Sequence, residues 1–350
     1  MIFRVVNEER MPLVKNLWAQ NFEQPGDPFY EYYFNNYCGK DNMVVGGFDE
    51  QDHLLTMLHL NPYMLRIRGS EILTPYIAGV ATDKEHRGKH LMGELMQTVF
   101  QMLRSQSFPF VWLLPVAGKI YEPYGFAFVD KRAKCNYQDL QKKFTLQKAQ
   151  LEQSVLQPLY EQFTAGKNAV VRTDFQWHKL LSVYQGEQAE CQLIMEKGKA
   201  IGYIIHEDDE VMEVINPPGG IGKAEPPAPL TGGQSGGNMI RCIDARAALD
   251  RLNVSGCQDC EFNLLLGDDF LADNNHLLHI TVEDGKLSYE STLDKEDFAM
   301  DMDVFTQLYF GERDVLELVE AGLIVVNNPM KLAALGRLFP KCETYLNEYF

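Results

Sequence analysis

Gly79-Val80-Ala81-Thr82-Asp83-Lys84-Glu85-His86-Arg87-Gly88-Lys89-His90-Leu91-Met92 is the stretch on which the fold turns. The apolar run EILTPYIAGVAT leads into it and ends at Thr82, and a short basic loop follows. In GKHLMGELMQTVFQMLRSQ the residues Leu91, Leu95, Val99 and Leu103 recur at every fourth position, which predicts an amphipathic helix beginning near Gly88. A strand, a loop and a helix start in that order turn unpaired backbone N–H groups and the positive end of a helix dipole toward one spot, where a pyrophosphate fits. Arg87, Gly88, Lys89, His90, Leu91, Met92 and Gly93 are the expected cradle. Val80, Ala81 and Thr82, at the strand end, offer backbone groups with which an extended ligand arm pairs as if it were another strand.

Working outward, IFRVV (2–6) reads as an edge strand, 8–21 as a helix and 29–37 as a second helix or an aromatic turn. NMVVGGF, HLLTMLHLNPYMLRIRG and EILTPYIAGVAT form an antiparallel meander, with Gly47 and the Asp49–Asp52 cluster as turn residues. After the amphipathic helix, FPFVWLLPV suits a buried strand, and KIYEPYGFAFV a short turn or helix leading into another strand. This α+β unit is expected to span 1–136. A second, short unit covers 137–215, with helical VLQPLYEQFTA and DFQWHKLLSVYQ ahead of two or three strands and no second phosphate loop. Pro and Gly dominate 216–237, a linker or loop. A third α+β unit is expected over 238–350.

Composition narrows the function classes. The net charge of −17 argues against nucleic acid, and it is unevenly placed: residues 1–136 hold 14 basic against 15 acidic residues, the remainder 18 against 34. Such a field favours cationic small molecules. No apolar run approaches the roughly 18–20 residues that cross a bilayer, and the N-terminus lacks a signal-peptide pattern, so no membrane partner and a cytosolic location are expected. Seven cysteines, scattered along the chain, read as reduced thiols. Cys257 and Cys260 form a single C-x-x-C pair without the further ligands that a zinc site needs, so no metal is expected.

The 79–92 stretch resembles the coenzyme A loop of the GNAT acetyltransferases, in which Arg or Gln, two residues, Gly, one residue, and Gly or Ala follow one another. With Arg87 in the first position, His90 and Met92 stand where the two small residues usually lie. Lys119-Ile120-Tyr121-Glu122-Pro123-Tyr124-Gly125-Phe126 resembles the GNAT segment that carries a tyrosine near the acyl thioester, with Val116 and Ala117 bordering the cofactor just before it. With MIRCIDARAALDRL and the terminal Phe350, the chain resembles the enhanced-intracellular-survival family of acetyltransferases. That resemblance implies an N-terminal GNAT domain, a second GNAT-like domain without a cofactor site, and a C-terminal domain like sterol carrier protein 2. It further implies acetyl-CoA as cosubstrate, Tyr121 as proton donor to the leaving thiolate, the α-carboxylate of Phe350 as base, and a homo-oligomer. The expected reaction is acetyl transfer to an amine of a cationic small molecule. A protein or peptide lysine is the nearer alternative acceptor, and a non-catalytic apolar-ligand carrier the alternative of another class. Asp27 and Glu348 are candidate cation-attracting carboxylates.

Overall fold

The computed structural model describes residues 1–130, 137–215 and 237–348. The first part of the chain runs β1 (Ile2–Val5), α1 (Met11–Ala19), α2 (Pro28–Asn36), β2 (Met43–Phe48), β3 (Leu54–Ile67), β4 (Ser70–Thr82), α3 (Leu91–Ser105), β5 (Phe110–Leu113) and β6 (Ala127–Phe128). β1 to β4 pair antiparallel in sequence order, as the alternating apolar runs predict. Arg68 and Gly69, both with positive φ (49° and 84°), close a two-residue hairpin between Ile67 and Ser70. The Arg68 side chain reaches from that tip to the carbonyls of Tyr309 (2.5 Å), Leu308 (3.1 Å) and Pro340 (2.7 Å), far along the chain.

α3 places Leu91, Leu95, Met96, Val99, Phe100 and Leu103 against one face of this sheet, the stripe expected from the i, i+4 spacing. α1 and α2 cover the opposite face through Trp18, Tyr33 and Phe34, whose rings pack within 5.0–5.5 Å of one another.

The second part comprises α4 (Tyr137–Lys143), β7 (Thr145–Ala149), α5 (Gln153–Thr164), β8 (Asn168–Val170), α6 (Asp174–Gly186), β9 (Glu190–Glu196), β10 (Lys199–Glu207) and β11 (Glu210–Ile215). Its own sheet is four-stranded, ordered β11-β10-β9-β7. β8 leaves it and pairs with β3 of the first sheet.

The third part comprises β12 (Met239–Cys242), α7 (Ala245–Asp250), β13 (Cys260–Gly267), β14 (His276–Glu283), β15 (Lys286–Ser291), β16 (Phe298–Asp301), α8 (Met302–Phe310), α9 (Val315–Glu320), β17 (Val325–Val326), α10 (Leu332–Leu338) and β18 (Thr344–Tyr345). Its sheet is ordered β15-β14-β13-β16-β17. Two of its strands depart from the expected 238–350 unit. β12 inserts between β5 and β6 of the N-terminal sheet, and β18 pairs with β8. The first sheet therefore has nine strands drawn from all three parts. The reason is physical: β5 and β6 each need a partner on their facing edges, and Met239 to Cys242, apolar apart from Arg241 and buried throughout, fills that gap. Most of the expected 216–237 linker, and Phe350, lie outside the described residues.

Candidate functional site

β4 and β5 run parallel and meet in one register pair, Tyr76↔Trp112. Beyond it their ladder stops, so β4 from Ile77 to Thr82 has β3 on one edge and, among the described residues, no strand beside the other. A bulge sharpens the divergence: His59 faces Ala78 and Met57 faces Ala81, so Gly79 and Val80 stand opposite the single residue Leu58. Gly79 adopts φ 55°, and a Cβ there would lie 2.5 Å from the Trp18 ring, so both backbone and packing demand glycine. Val80, Ala81 and Thr82 thus sit along the open edge. Thr56 Oγ1 donates to the Ala81 carbonyl (3.0 Å) and fixes that end of the strand from the β3 side.

The loop that follows is tighter than its sequence predicts. The helix starts at Leu91, not near Gly88, because Gly88 (φ 75°) and His90 (φ 60°, ψ 13°) are both left-handed and interrupt helical bonding. Left-handed geometry at the first small-residue position of the motif explains why glycine is the easier choice there; His90 adopts it with its side chain exposed. Among the described residues, no backbone N–H from Arg87 to Met92 donates to another backbone group, whereas Gly93 and Glu94 both bond the His90 carbonyl (3.0 and 3.2 Å). Six consecutive N–H groups without backbone partners at the start of a 15-residue helix are an arrangement that could hold an anion. Arg87 bonds Asn21 Oδ1 (2.5 Å), and Lys89 is exposed beside it. Gly93 backs onto Tyr124, whose Cε1 would lie 3.3 Å from a Cβ at that position.

Across the divergence, Val116 is exposed and Ala117 half-buried just after β5. Tyr121 is 9% exposed and shares an apolar cluster with Leu95, Met96 and Leu113, against which Val80 and Met92 pack. Burial, with a smaller contribution from Tyr124, pushes the Tyr121 phenol up to about 12, so its proton stays on at neutral pH. The turn after it ends at Gly125 (φ 75°), where a Cβ would come within 2.6 Å of Arg241 Nη1. Arg241, on β12, is itself fully buried and ion-paired with Asp268. Asp268 accepts from the N–H groups of Phe270 (3.0 Å) and Leu271 (2.8 Å), and Phe270 packs on Tyr124 at 5.2 Å. The third part of the chain thereby braces the tyrosine turn, a contribution that sequence spacing did not reveal.

The two candidate carboxylates differ. Asp27 is exposed, and its Oδ2 accepts from the Gln24 N–H (2.7 Å). Glu348, expected as a cation-attracting group, is instead 2% exposed and bound by Arg172 Nε at 2.7 Å. The same guanidinium holds Glu213 (2.6 and 3.2 Å) and the Asn347 carbonyl (2.9 Å). Burial disfavours the Arg172 charge, but Glu213 and Glu348 outweigh it and keep the group protonated. One buried arginine therefore fastens the last described residues of the chain to the second part.

Lys179, on α6, completes this buried set. Its Nζ donates to Tyr63 Oη (2.8 Å) and lies 4.2 Å from the Tyr37 ring centre. Tyr63 in turn packs on Trp112 (5.4 Å), at the foot of the β4–β5 divergence. Burial pulls Lys179 down from 10.5 to about 7, with Glu348 acting in the opposite sense. The unfolded chain then binds more protons than the folded one between these two values, so this lysine's contribution makes stability rise with pH above about 7. Lys179→Met is expected to flatten that rise relative to the parent, as read from urea midpoints between about pH 6.5 and 9.

The six described cysteines are free thiols, and among the described residues no group of three or more His, Cys, Asp or Glu side chains is placed to hold a metal ion. No helix among them is long and apolar enough to cross a membrane.

Comparison with known proteins accords with this geometry. The acetyltransferase (GNAT) domain family matches residues 3–129, and the sterol carrier protein domain family matches residues 245–347. No curated protein sequence matches the chain significantly. Among solved structures, a conserved protein of Enterococcus faecalis described as a probable N-acyltransferase superposes with a TM-score of 0.79 at 16% identity, covering 100% of this chain and 99% of that one. A GCN5-related N-acetyltransferase from Kribbella flavida gives 0.73 at 18% identity, and Eis1 from Mycobacterium abscessus 0.71 at 13%, each covering 100% of both chains. The chain has a mixed α/β architecture with an N-terminal GNAT domain and a C-terminal domain like sterol carrier protein 2.

Proposed function

We propose that this protein transfers an acetyl group from acetyl-CoA directly to a primary amine, borne on a cationic small molecule. The observation that carries the reading is the juxtaposition of the open edge of β4, the unpartnered N–H groups from Arg87 to Met92, and the buried phenol of Tyr121. Bound acetyl-CoA supplies an activated thioester. The edge of β4 at Val80, Ala81 and Thr82 pairs with its pantetheine arm, and the N–H groups from Arg87 to Met92 hold its phosphates.

Tyr121 keeps its proton at neutral pH and gives it to the departing thiolate. The incoming amine must lose a proton to react, and the α-carboxylate of Phe350 is the proposed base, a role suggested by the family resemblance. Asp27 and the acidic surplus outside residues 1–136 draw a cationic acceptor toward the site. The reading is tested by incubating the protein with acetyl-CoA and a panel of amines, polyamine-like and aminoglycoside-like, and following free thiol. Thiol release no faster than hydrolysis with every amine, and acetylation of a lysine peptide instead, would replace the proposed acceptor class.

Acetyl-CoA is expected to bind at one site per chain, because neither strand–helix junction of the second part, β7–α5 or β8–α6, leaves six consecutive N–H groups without partners, and the second is closed by a capping box at Thr173. Arg87→Glu is expected to weaken that binding by roughly 10-fold or more, since it reverses a charge beside the phosphate cradle. Calorimetric titration reads both, and a stoichiometry of two equivalent sites contradicts the assignment.

A further inference from the structure

A cleft of about 570 Å³ opens in the third part of the chain, away from the acetyl-transfer residues. Its floor is a cross-strand row: Leu277 pairs with Leu265, Leu265 with Ala299, and Ala299 with Val325. These positions point outward, because the alternate residues Leu264, Leu278 and Phe298 are fully buried in the core on the other face. A solvated sheet face ordinarily carries polar side chains. Here Leu265 and Val325 are 37% and 56% exposed, and Leu323 beside them 39%.

The charged residues lining the cleft are Asp301 and Asp303. Among the described residues neither forms an ion pair. Asp301 precedes α8 without capping it through its side chain, and Asp303 accepts from the adjacent Val304 N–H (2.8 Å) and from its own N–H. Burial, and then the neighbouring Asp301 charge, raise the Asp303 carboxyl above its usual range. The nearby Arg241, ion-paired with Asp268, also acts on Asp303 and lowers its carboxyl, but by less than burial and Asp301 raise it. His276 adds an Nε2 that is buried without a hydrogen-bond partner among the described residues. An apolar floor beside two carboxylates that form no ion pair among the described residues selects for a ligand with an apolar body and a positive head.

We propose that this cleft binds amphiphilic ammonium ions, the hydrocarbon lying along Leu277, Leu265, Ala299 and Val325 and the cationic head between Asp301 and Asp303. A second copy of the chain is the poorer occupant. A two-fold contact through this face would bring four carboxylates together, on a chain that already carries a net charge of −17.

The test is calorimetric titration of the full chain with decyltrimethylammonium and, separately, decanoate, both below their micelle concentrations. Asp301, Asp303 and Leu265 lie outside the acetyl-transfer residues, so a loss of ammonium binding in their variants is read independently of the acetyl-transfer reading and stands or falls without it. The expected result is one site for the ammonium ion and no measurable binding of decanoate. Asp301→Asn with Asp303→Asn is expected to weaken the ammonium ion by roughly 10-fold, while asparagine retains the preference for the position preceding α8. Leu265→Gln, at a position 37% exposed on the outward face of the sheet, provides the second variant and is expected to weaken it several-fold, with a thermal melt confirming that the variant is folded. The proposal is overturned if decanoate binds as well as the ammonium ion, if neither variant alters binding, or if light scattering shows a dimer that the Leu265→Gln substitution dissociates.

Discussion

Replacing Tyr121 with phenylalanine is expected to lower kcat by roughly 10- to 10⁴-fold while leaving acetyl-CoA affinity nearly intact. The ring sits in the cluster of Leu95, Met96 and Leu113 and packs edge-on against Phe126 at 5.9 Å, contacts that phenylalanine retains. What the substitution deletes is the phenolic proton, held in place by burial up to about pH 12. The thiolate must then leave unprotonated or take its proton from water. A second arm addresses the base: one residue added after Phe350 displaces the α-carboxylate and is expected to reduce turnover, whereas an N-terminal tag is tolerated. Steady-state kinetics on an identified amine, with thermal melts alongside, separate lost chemistry from lost folding. Full activity in a folded Tyr121→Phe protein would remove the tyrosine from the mechanism, and full activity in a folded extended chain would remove the terminal carboxylate.

Arg172→Met is expected to be the most destabilising single change considered, at about 3–5 kcal/mol. The side chains of Arg172, Glu213 and Glu348 are 0%, 0% and 1% exposed, so water cannot replace the guanidinium. Removing it leaves two carboxylates buried together and frees the Asn347 carbonyl. The folded state could then survive only by protonating them, so the deficit should shrink as the pH is lowered toward the carboxylate range. Replacing Glu213 and Glu348 by glutamine as well is expected to recover much of the loss, because the uncompensated charges are gone. Urea denaturation of the three proteins reads this directly; equal stability of parent and Arg172→Met would show that the buried network contributes little. The consequence extends to the site, since Arg172 and the β18–β8 pairing fasten the end of the chain between its first and second parts.

The N-terminal unit was legible in the sequence where local physics sufficed. The spacing of Leu91, Leu95, Val99 and Leu103 defines one helix face whatever lies beyond it, and the apolar meander announces β2, β3 and β4. The proposed roles of Tyr121, Arg87 and the end of β4 were drawn from their order along the chain. Helix onset was misplaced by three residues, because the left-handed turns at Gly88 and His90 depend on how the loop leaves Thr82 rather than on helix propensity.

The sequence by itself determined the kinds of element, the strand–loop–helix order after Gly79 and the acidic bias of the residues after 136. Only the tertiary structure decided that Met239–Cys242 closes the N-terminal sheet, that β18 joins it through β8, and that Arg172, Lys179, Arg241 and Glu348 are interior residues. The physical reason is range. Periodicity records which side of an element faces apolar surroundings, a property of neighbours three or four residues away. Strand pairing across 100 residues, and a buried charge tolerated because its counter-charge arrives from another part of the chain, are properties of the assembled molecule. In one dimension such an arginine or glutamate reads as surface.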